Sequence, residues 1–276
     1  MNIDIFKNIL HNLYSKEMCY KDSSDLWSKD NPSIGMCAIT SLLVNDYFGY
    51  SIAKIKLDGI SHYFNLFHNE VIDLTSDQFD CEISYDNYFV VSRDKILENP
   101  DTSRRYELLR SAFIEHMKNH FYMIPVDSDK YLPKYQYAVV TILKDKNDRF
   151  ILQRRGRKAR DEAGRLEEIG GAFEDSDITL DNAIKREIIE EVGSKATIRV
   201  GEVIGKFLNT KYDLRTNQVL NWLFVLYESF YEGGELEIAE PEKCDGYEFY
   251  TYDELPMNEM SESSKVFNEY YKNVRG

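Results

Sequence analysis

Four cysteines in 276 residues, Cys19, Cys37, Cys81 and Cys244, show no CxxC spacing and no local density. That argues against a disulfide framework and against a structural zinc site. No stretch of about 18 apolar residues occurs, so no membrane-spanning helix is expected. The opening segment MNIDIFKNILHNLYSKE is amphipathic and has neither a signal-peptide core nor a small-residue cleavage site, so a cytoplasmic protein is expected. Positive charge is in short supply, with 34 Lys and Arg against 48 Asp and Glu and a net charge of −14. Such a surface repels phosphate backbones and disfavours long nucleic acid as a partner. A small phosphorylated ligand at a local basic patch remains compatible with it. The candidate patch is Arg154, Arg155, Arg157, Lys158 and Arg160; the alternative is a solvated loop that balances nearby acids. No internal repeat and no low-complexity tract is found.

The length allows one large domain or two ordinary ones, and 43% apolar with 30% charged residues is an ordinary globular balance. Apolar residues at helical spacing predict a helix over about 3–16, and a second over 37–48, closed by Gly49. Runs at 60–67 and 71–74, joined by His68, Asn69 and Glu70, read as a β-hairpin, and 106–122 reads as another helix. The stretch MIPVDSDKYLPKYQ carries two of the six prolines and has no periodicity. A domain boundary is placed there, near residues 124–134, giving an N-terminal domain at 1–128 and a C-terminal domain at 134–276. Strands are expected at 138–143 and 150–153, either side of the turn 144–148, and again at 197–203 and 219–227. The class is α+β with mixed strands.

The informative segment runs from Gly170 to Gly193. Thr179 is a plausible N-cap, Asp181 suits the first turn and Gly193 supplies the stop, so a helix is expected over 180–192. At 100° per residue, Glu191 lies about +40° and Glu190 about −60° from Glu187, while Ile184, Ile188, Ile189 and Val192 fill the neighbouring arc. Three carboxylates within a turn of one another destabilise a helix unless something compensates. Hard divalent cations, which take oxygen ligands, would do so; a solvated acidic face is the other reading.

The run Arg186-Glu187-Ile188-Ile189-Glu190-Glu191-Val192-Gly193 resembles the core of the Nudix box as written. Upstream, Gly171 followed by five residues reaches Asp177, where the family has Glu. Eight residues rather than seven then separate it from Arg186, and Ser194 stands in place of a hydrophobic residue. The stretch from Lys144 to Arg155 resembles the family's first hairpin, and Glu248 to Pro256 its late strand and helix start. The resemblance covers about 140 residues and implies a Nudix α/β/α sandwich with a mixed sheet. It implies Mg²⁺ or Mn²⁺ held by Glu187, Glu190 and Glu191 beside Gly171, with Arg186 orienting a glutamate. It implies water attack at phosphorus in a nucleoside-diphosphate-type small molecule. Glu187 is one candidate base; Glu240, Glu242 and Glu248 are others. Arg154, Arg155 and Arg157 are candidate phosphate contacts, and Phe207, Tyr212 and Trp222 could stack on a base. A homo-oligomer is left open.

A second constellation lies upstream. Cys37 begins an apolar helix, where the dipole and free N–H groups favour a thiolate. His62 follows on one expected strand and Asp73 on the next. A Cys at a helix start with His and Asp on adjacent strands is the layout of papain-like and transglutaminase-like folds, in which His activates the thiol and Asp orients the His. The stretches Asn31 to Thr40, Asp58 to Asn65 and Val71 to Phe79 resemble the uncharacterised YunG-like family, over about residues 1–120. Met36 sits where a polar Gln would suit an oxyanion hole. The readings left open are a thiol hydrolase or acyltransferase, a degenerate binding fold with Cys37 and His62 as core residues, and a nucleotide sensor that binds without cleaving.

Overall fold

The computed structural model describes residues 1–126, 131–159 and 161–275. It divides into two compact units. One holds Met1–Tyr122, Thr210–Asn221 and a short stretch ending at Lys134; the other holds the rest of the chain. The boundary expected near 124–134 includes residues 127–130, which lie outside the described residues. Inclusion of Thr210–Asn221 in the first unit has no counterpart in the sequence pattern.

The first unit opens with α1 (Ile3–Leu13), capped by the Asn2 side chain, which accepts the Ile5 N–H. It stops before the expected Lys16 because Tyr14 turns extended and its hydroxyl bonds Thr40 at 2.6 Å. Helix α2 (Cys37–Phe48) is buried on almost every side and ends at Gly49 with φ +78°, a left-handed turn that favours glycine. Strands β1 (Ser51–Leu57) and β2 (Ile60–Phe67) follow. They are joined by Asp58-Gly59, both at positive φ, a two-residue hairpin turn whose DG signature the expected layout did not use. Strand β3 (Glu70–Ile72) pairs with β2, and β4 (Phe89–Val91) pairs with β1, giving the sheet order β3-β2-β1-β4. Short α3 (Arg93–Leu97) precedes α4 (Pro100–Lys118). The latter begins six residues before the expected start, because Pro100 at its first turn and the Asn99 cap set the start before the apolar residues appear. This unit is α+β, as expected.

The second unit carries β6 (Gln136–Asp145), β7 (Phe150–Arg155), β8 (Leu166–Glu167), β9 (Ile169–Ala172), α5 (Leu180–Val192), β12 (Cys244–Tyr250) and α6 (Glu262–Arg275), together with most of β5 (Tyr122–Pro125), β10 (Ala196–Asp213) and β11 (Gln218–Gly234). The sheet order is β12-β7-β6-β11-β10-β5, with β8 on β7 and β9 on β6. Strand β11 runs parallel to β6, while β12–β7 and β6–β9 are antiparallel, so the sheet is mixed. Alternation along the strands assigns each helix a face. Val139, Leu143, Ile151, Val225 and Tyr227 pack with Ala183, Ile184, Ile188 and Val192 of α5. Val140, Ile142, Phe150 and Leu226, the intervening residues, pack with Phe267 and Tyr271 of α6. Helices therefore cover both faces, which is the expected α/β/α arrangement.

Candidate functional site

The expected bounds of α5 and its Thr179 cap are those observed, and the Thr179 side chain accepts the Asn182 N–H. Three elements converge on its carboxylate edge. Strand β9 supplies Gly170 and Gly171. A Cβ on Gly171 would lie 2.5 Å from both Glu187 carboxylate oxygens, so the side chain rests against bare backbone. The loop after β9 forms a turn over Asp175–Asp177 in which Glu174 and Asp177 cap each other. The turn is followed by Ile178, a β-branched residue at φ +60° that is 83% exposed, a strained conformation for that side chain.

Arg186 organises the outer half of the site. It donates to both oxygens of Asp177 at 2.8 and 2.9 Å, to Glu187 and Glu190 at 2.8 Å each, and to the Ala172 carbonyl at 2.8 Å. Asp177, placed one residue out of the family's spacing, is thus a buried anchor for Arg186, and that contact holds its carboxyl below the usual range. Glu187 is pushed up by burial, against the pull of Arg186.

The inner half is built on Glu191. Its residue is half-buried, but its carboxylate is enclosed. It accepts the Gly170 N–H at 2.8 Å and the Gln153 amide at 2.9 Å. The same Gln153 amide reaches Glu167 at 3.4 Å. Burial first, then the charge of neighbouring acids, pushes Glu191 up to about 8 and Glu167 to about 7. Glu167 and Gln153 were not among the expected site residues. Their only signal is alternation along β7 and β8, which does not say what a strand residue faces.

Among the described residues, no three or more His, Cys, Asp or Glu side chains stand gathered as a ready metal cluster. Glu187 and Glu190 turn to Arg186, and Glu191 to Gln153 and Gly170. The chemistry of the donors nevertheless fits a hard cation. Enclosed oxygen ligands crowd each other, and a divalent charge relieves that crowding.

The expected phosphate contacts are engaged within the protein. Arg154 pairs with Glu248 at 2.5 Å and Glu259 at 3.0 Å. Arg155 pairs with Asp161 at 2.8 Å and with Glu167. Arg157 lies exposed in the turn after β7, and Arg160 lies outside the described residues. Of the late carboxylates, Glu248 is held low by Arg154, and Glu240 pairs with Lys243 at 2.6 Å. Phe207 is wholly buried in the α6 core and Trp222 is half-buried, while Tyr212 bonds Asn217 in the first unit.

In the first unit His62 and Asp73, both 2% exposed, meet at 2.6 Å through His62 Nε2. Asp73 also accepts from the Thr75 N–H at 2.9 Å, the Thr75 hydroxyl at 3.0 Å and the Tyr85 hydroxyl at 2.8 Å. The Cys37 side chain acts on the same imidazole. Burial works to lower His62, but the Asp73 hydrogen bond and the Cys37 side chain override it and hold His62 up at about 9. Asp73 is held below its usual range, despite burial, chiefly by His62.

Comparison with known proteins falls along the same division. Residues 2–118 match the family described as YunG protein, and residues 134–270 match the NUDIX domain family. The uncharacterized protein YunG of Bacillus subtilis (strain 168) is 33% identical over 104 residues, which are 38% of this chain and 89% of that protein. Among solved structures, a MutT protein from Methanosarcina mazei Go1 is 19% identical with a TM-score of 0.41, covering 51% of this chain and 96% of its own. A MutT NUDIX hydrolase from Burkholderia pseudomallei is 20% identical with a TM-score of 0.39, covering 50% and 98%. The chain belongs to the YunG family and carries, after that domain, a NUDIX domain. No helix among the described residues is long and apolar enough to cross a membrane.

Proposed function

We propose that the NUDIX domain hydrolyses the diphosphate linkage of a small nucleoside-diphosphate derivative, using Mg²⁺ or Mn²⁺ held by Glu187, Glu190 and Glu191, with Glu167 beside them. The observation that carries this reading is the enclosed acid pair behind α5, where Glu191 and Glu167 share the Gln153 amide and both are raised toward neutrality. A divalent cation bound there would neutralise the diphosphate and the charge developing on the leaving phosphate. The chain's own residues do the rest. Gly171 lets the Glu187 carboxylate lie against the strand, where it is also one candidate for the base that takes a proton from the attacking water. Arg186, anchored by Asp177, fixes Glu187 and Glu190 in orientation. Of the three candidate arginines, Arg157 is the one proposed to meet a phosphate, since it is exposed and Arg154 and Arg155 are already paired.

The test is incubation of the whole protein with Mg²⁺ and a panel of nucleotide sugars, ADP-ribose, dinucleotides and nucleoside triphosphates, beside its Glu190→Gln variant. Metal-dependent cleavage of at least one compound is expected, falling about a hundredfold in the variant. Absence of cleavage across the panel, or cleavage indifferent to the substitution, removes the proposal. A second variant tests the close approach at β9. Gly171→Ala puts a methyl group into the Glu187 carboxylate. It is expected to lower the hydrolysis rate by ~10- to 100-fold, with the far-ultraviolet circular dichroism spectrum unchanged. An Ala variant with full activity would mean that Glu187 does not need this position.

A further inference from the structure

The strongest feature unused by the NUDIX reading is the buried His62 with its two neighbours. Its Nε2 is fixed by Asp73 at 2.6 Å. Its Nδ1 is buried without a hydrogen-bond partner, an uncommon state for a polar atom in a core. Besides Asp73, the side chain that acts on this imidazole is Cys37, at the first position of α2, half-buried rather than sealed in the core. A histidine kept only for packing would not need a carboxylate that is itself held by three further donors from Thr75 and Tyr85. Phe79 closes over the ring, with its centroid 4.9 Å away and the planes near perpendicular, and so fixes its tilt.

The helix start supplies the remaining part. Met36, at the cap position, makes no side-chain capping bond, so the first-turn N–H groups of α2 are not taken up by a cap side chain. Such groups, at the positive end of a helix beside the sulfur, are suited to an oxyanion. Gly35 brings the preceding backbone in tightly: at φ +70°, a Cβ there would meet Cys19 Sγ and the Tyr20 nitrogen at 2.7 Å. The structure thus holds a thiol, an imidazole and a carboxylate in sequence, with main-chain donors at the thiol.

We propose that Cys37, His62 and Asp73 form a nucleophilic thiol site that transfers acyl groups from an activated acyl compound, an ester or a thioester. The resting site is an ion pair, with the Cys37 proton already on His62 Nδ1 and Asp73 stabilising the imidazolium through Nε2. The sulfur attacks the carbonyl carbon, forming a C–S bond while the π pair moves to oxygen. Collapse of that oxyanion breaks the bond to the alkoxide or thiolate leaving group, which takes the proton from Nδ1. Water, deprotonated by Nδ1, then attacks the acyl–Cys37 carbonyl, expels the sulfur and releases a carboxylic acid. Ester and thioester substrates are chosen over amides because Met36 brings no side-chain donor to the oxyanion, leaving only main-chain N–H groups, and because these leaving groups depart with less proton assistance than an amine. Asp73 acts through His62 and is a positioning residue.

The test uses the whole protein with iodoacetamide and with p-nitrophenyl acetate, and labelled sites are mapped by mass spectrometry. Exposed Cys81 is the internal standard, and Cys19 and Cys244 are buried. At mildly acidic pH, where an ordinary thiol with a pKa of about 8.5 is almost wholly protonated, Cys37 is expected to alkylate at least ~10-fold faster than Cys81. p-Nitrophenyl acetate is expected to give a burst of one acyl group per chain on Cys37, absent in Cys37→Ser. Asp73→Asn, nearly isosteric and so less apt to unfold the unit than loss of His62, is expected to move the alkylation profile about one pH unit upward. A merely structural role would not produce that shift. Labelling of Cys37 no faster than Cys81, or acylation mapped elsewhere, overturns the proposal. So does an Asp73→Asn profile that coincides with the parent's.

Discussion

Glu191→Gln is expected to lower metal-dependent hydrolysis by about three orders of magnitude, while the metal-free protein becomes more stable. The two effects share one cause. Glu191 is enclosed, and its folded-state pKa of about 8 stands well above the ordinary 4.5. A group raised in this way costs nothing while it stays protonated, below the unfolded value. It costs the fold progressively as pH rises through the folded value, because a charge is then forced into a low-dielectric site. Gln is close in shape and can still accept the Gly170 N–H. The Gln153 amide can turn to meet its new donor, so little packing is lost. The gain in metal-free stability is expected to grow from pH 5 to pH 9, reaching on the order of 2 kcal/mol. Added Mg²⁺ is expected to stabilise the parent and not the variant. Thermal unfolding with and without Mg²⁺ across that range, beside the cleavage assay, reads both halves. A variant that loses stability at high pH, or that keeps its activity, contradicts the assignment of Glu191 to the metal.

What was legible in the sequence is bounded by how far a local pattern reaches. Helix α5 could be read to the residue because its cap, its stop and its apolar arc all lie within Thr179 to Gly193. Helix α4 was read short because its start is set by Asn99 and Pro100, not by the apolar residues behind them. Strands β10 and β11 were each read as a fragment of a longer element, since Lys206 and Asn209 in β10 and Glu228 and Ser229 in β11 interrupt the apolar pattern on which the reading relied. The partners of the carboxylates are a different matter. That Arg154 and Arg155 are held by Glu248, Glu259, Asp161 and Glu167 depends on β12, β8 and a loop about 100 residues away, and no local pattern carries that information. Asp177 shows the same limit. Its spacing from the helix departs from the family's by one residue, and only the fold gives it a task, as the anchor of Arg186.

Raising the pH from 7 toward 10 is expected to destabilise the first unit by up to about 3 kcal/mol through His62 alone. His62 is held at about 9 in the fold, above the ordinary 6.5. Its contribution is therefore fully present below about 6.5 and is lost as pH rises through 9. Asp73, whose folded pKa is lowered, contributes above the ordinary carboxylate value and loses that contribution only as pH falls through the acid range. The pair is at full strength between these limits, from about pH 4 to 6.5. The groups facing the ring are Asp73 and the Cys37 side chain, with Tyr85 behind Asp73. Tyr85 and Tyr14 are raised by burial, so neither ionises in the fold within this window. Trp27 lies in the first unit and Trp222 in the second, and there are no other tryptophans. Denaturant titrations followed by Trp27 fluorescence in a Trp222→Phe background would therefore report on the unit that holds His62. The midpoint is expected to fall as pH rises from 7 to just below 10, and Asp73→Asn to flatten that dependence, since without the carboxylate His62 returns toward its ordinary value. A midpoint indifferent to pH in the parent, or an equal slope in the variant, would show that the His62–Asp73 bond does not carry the charge its 2.6 Å geometry indicates.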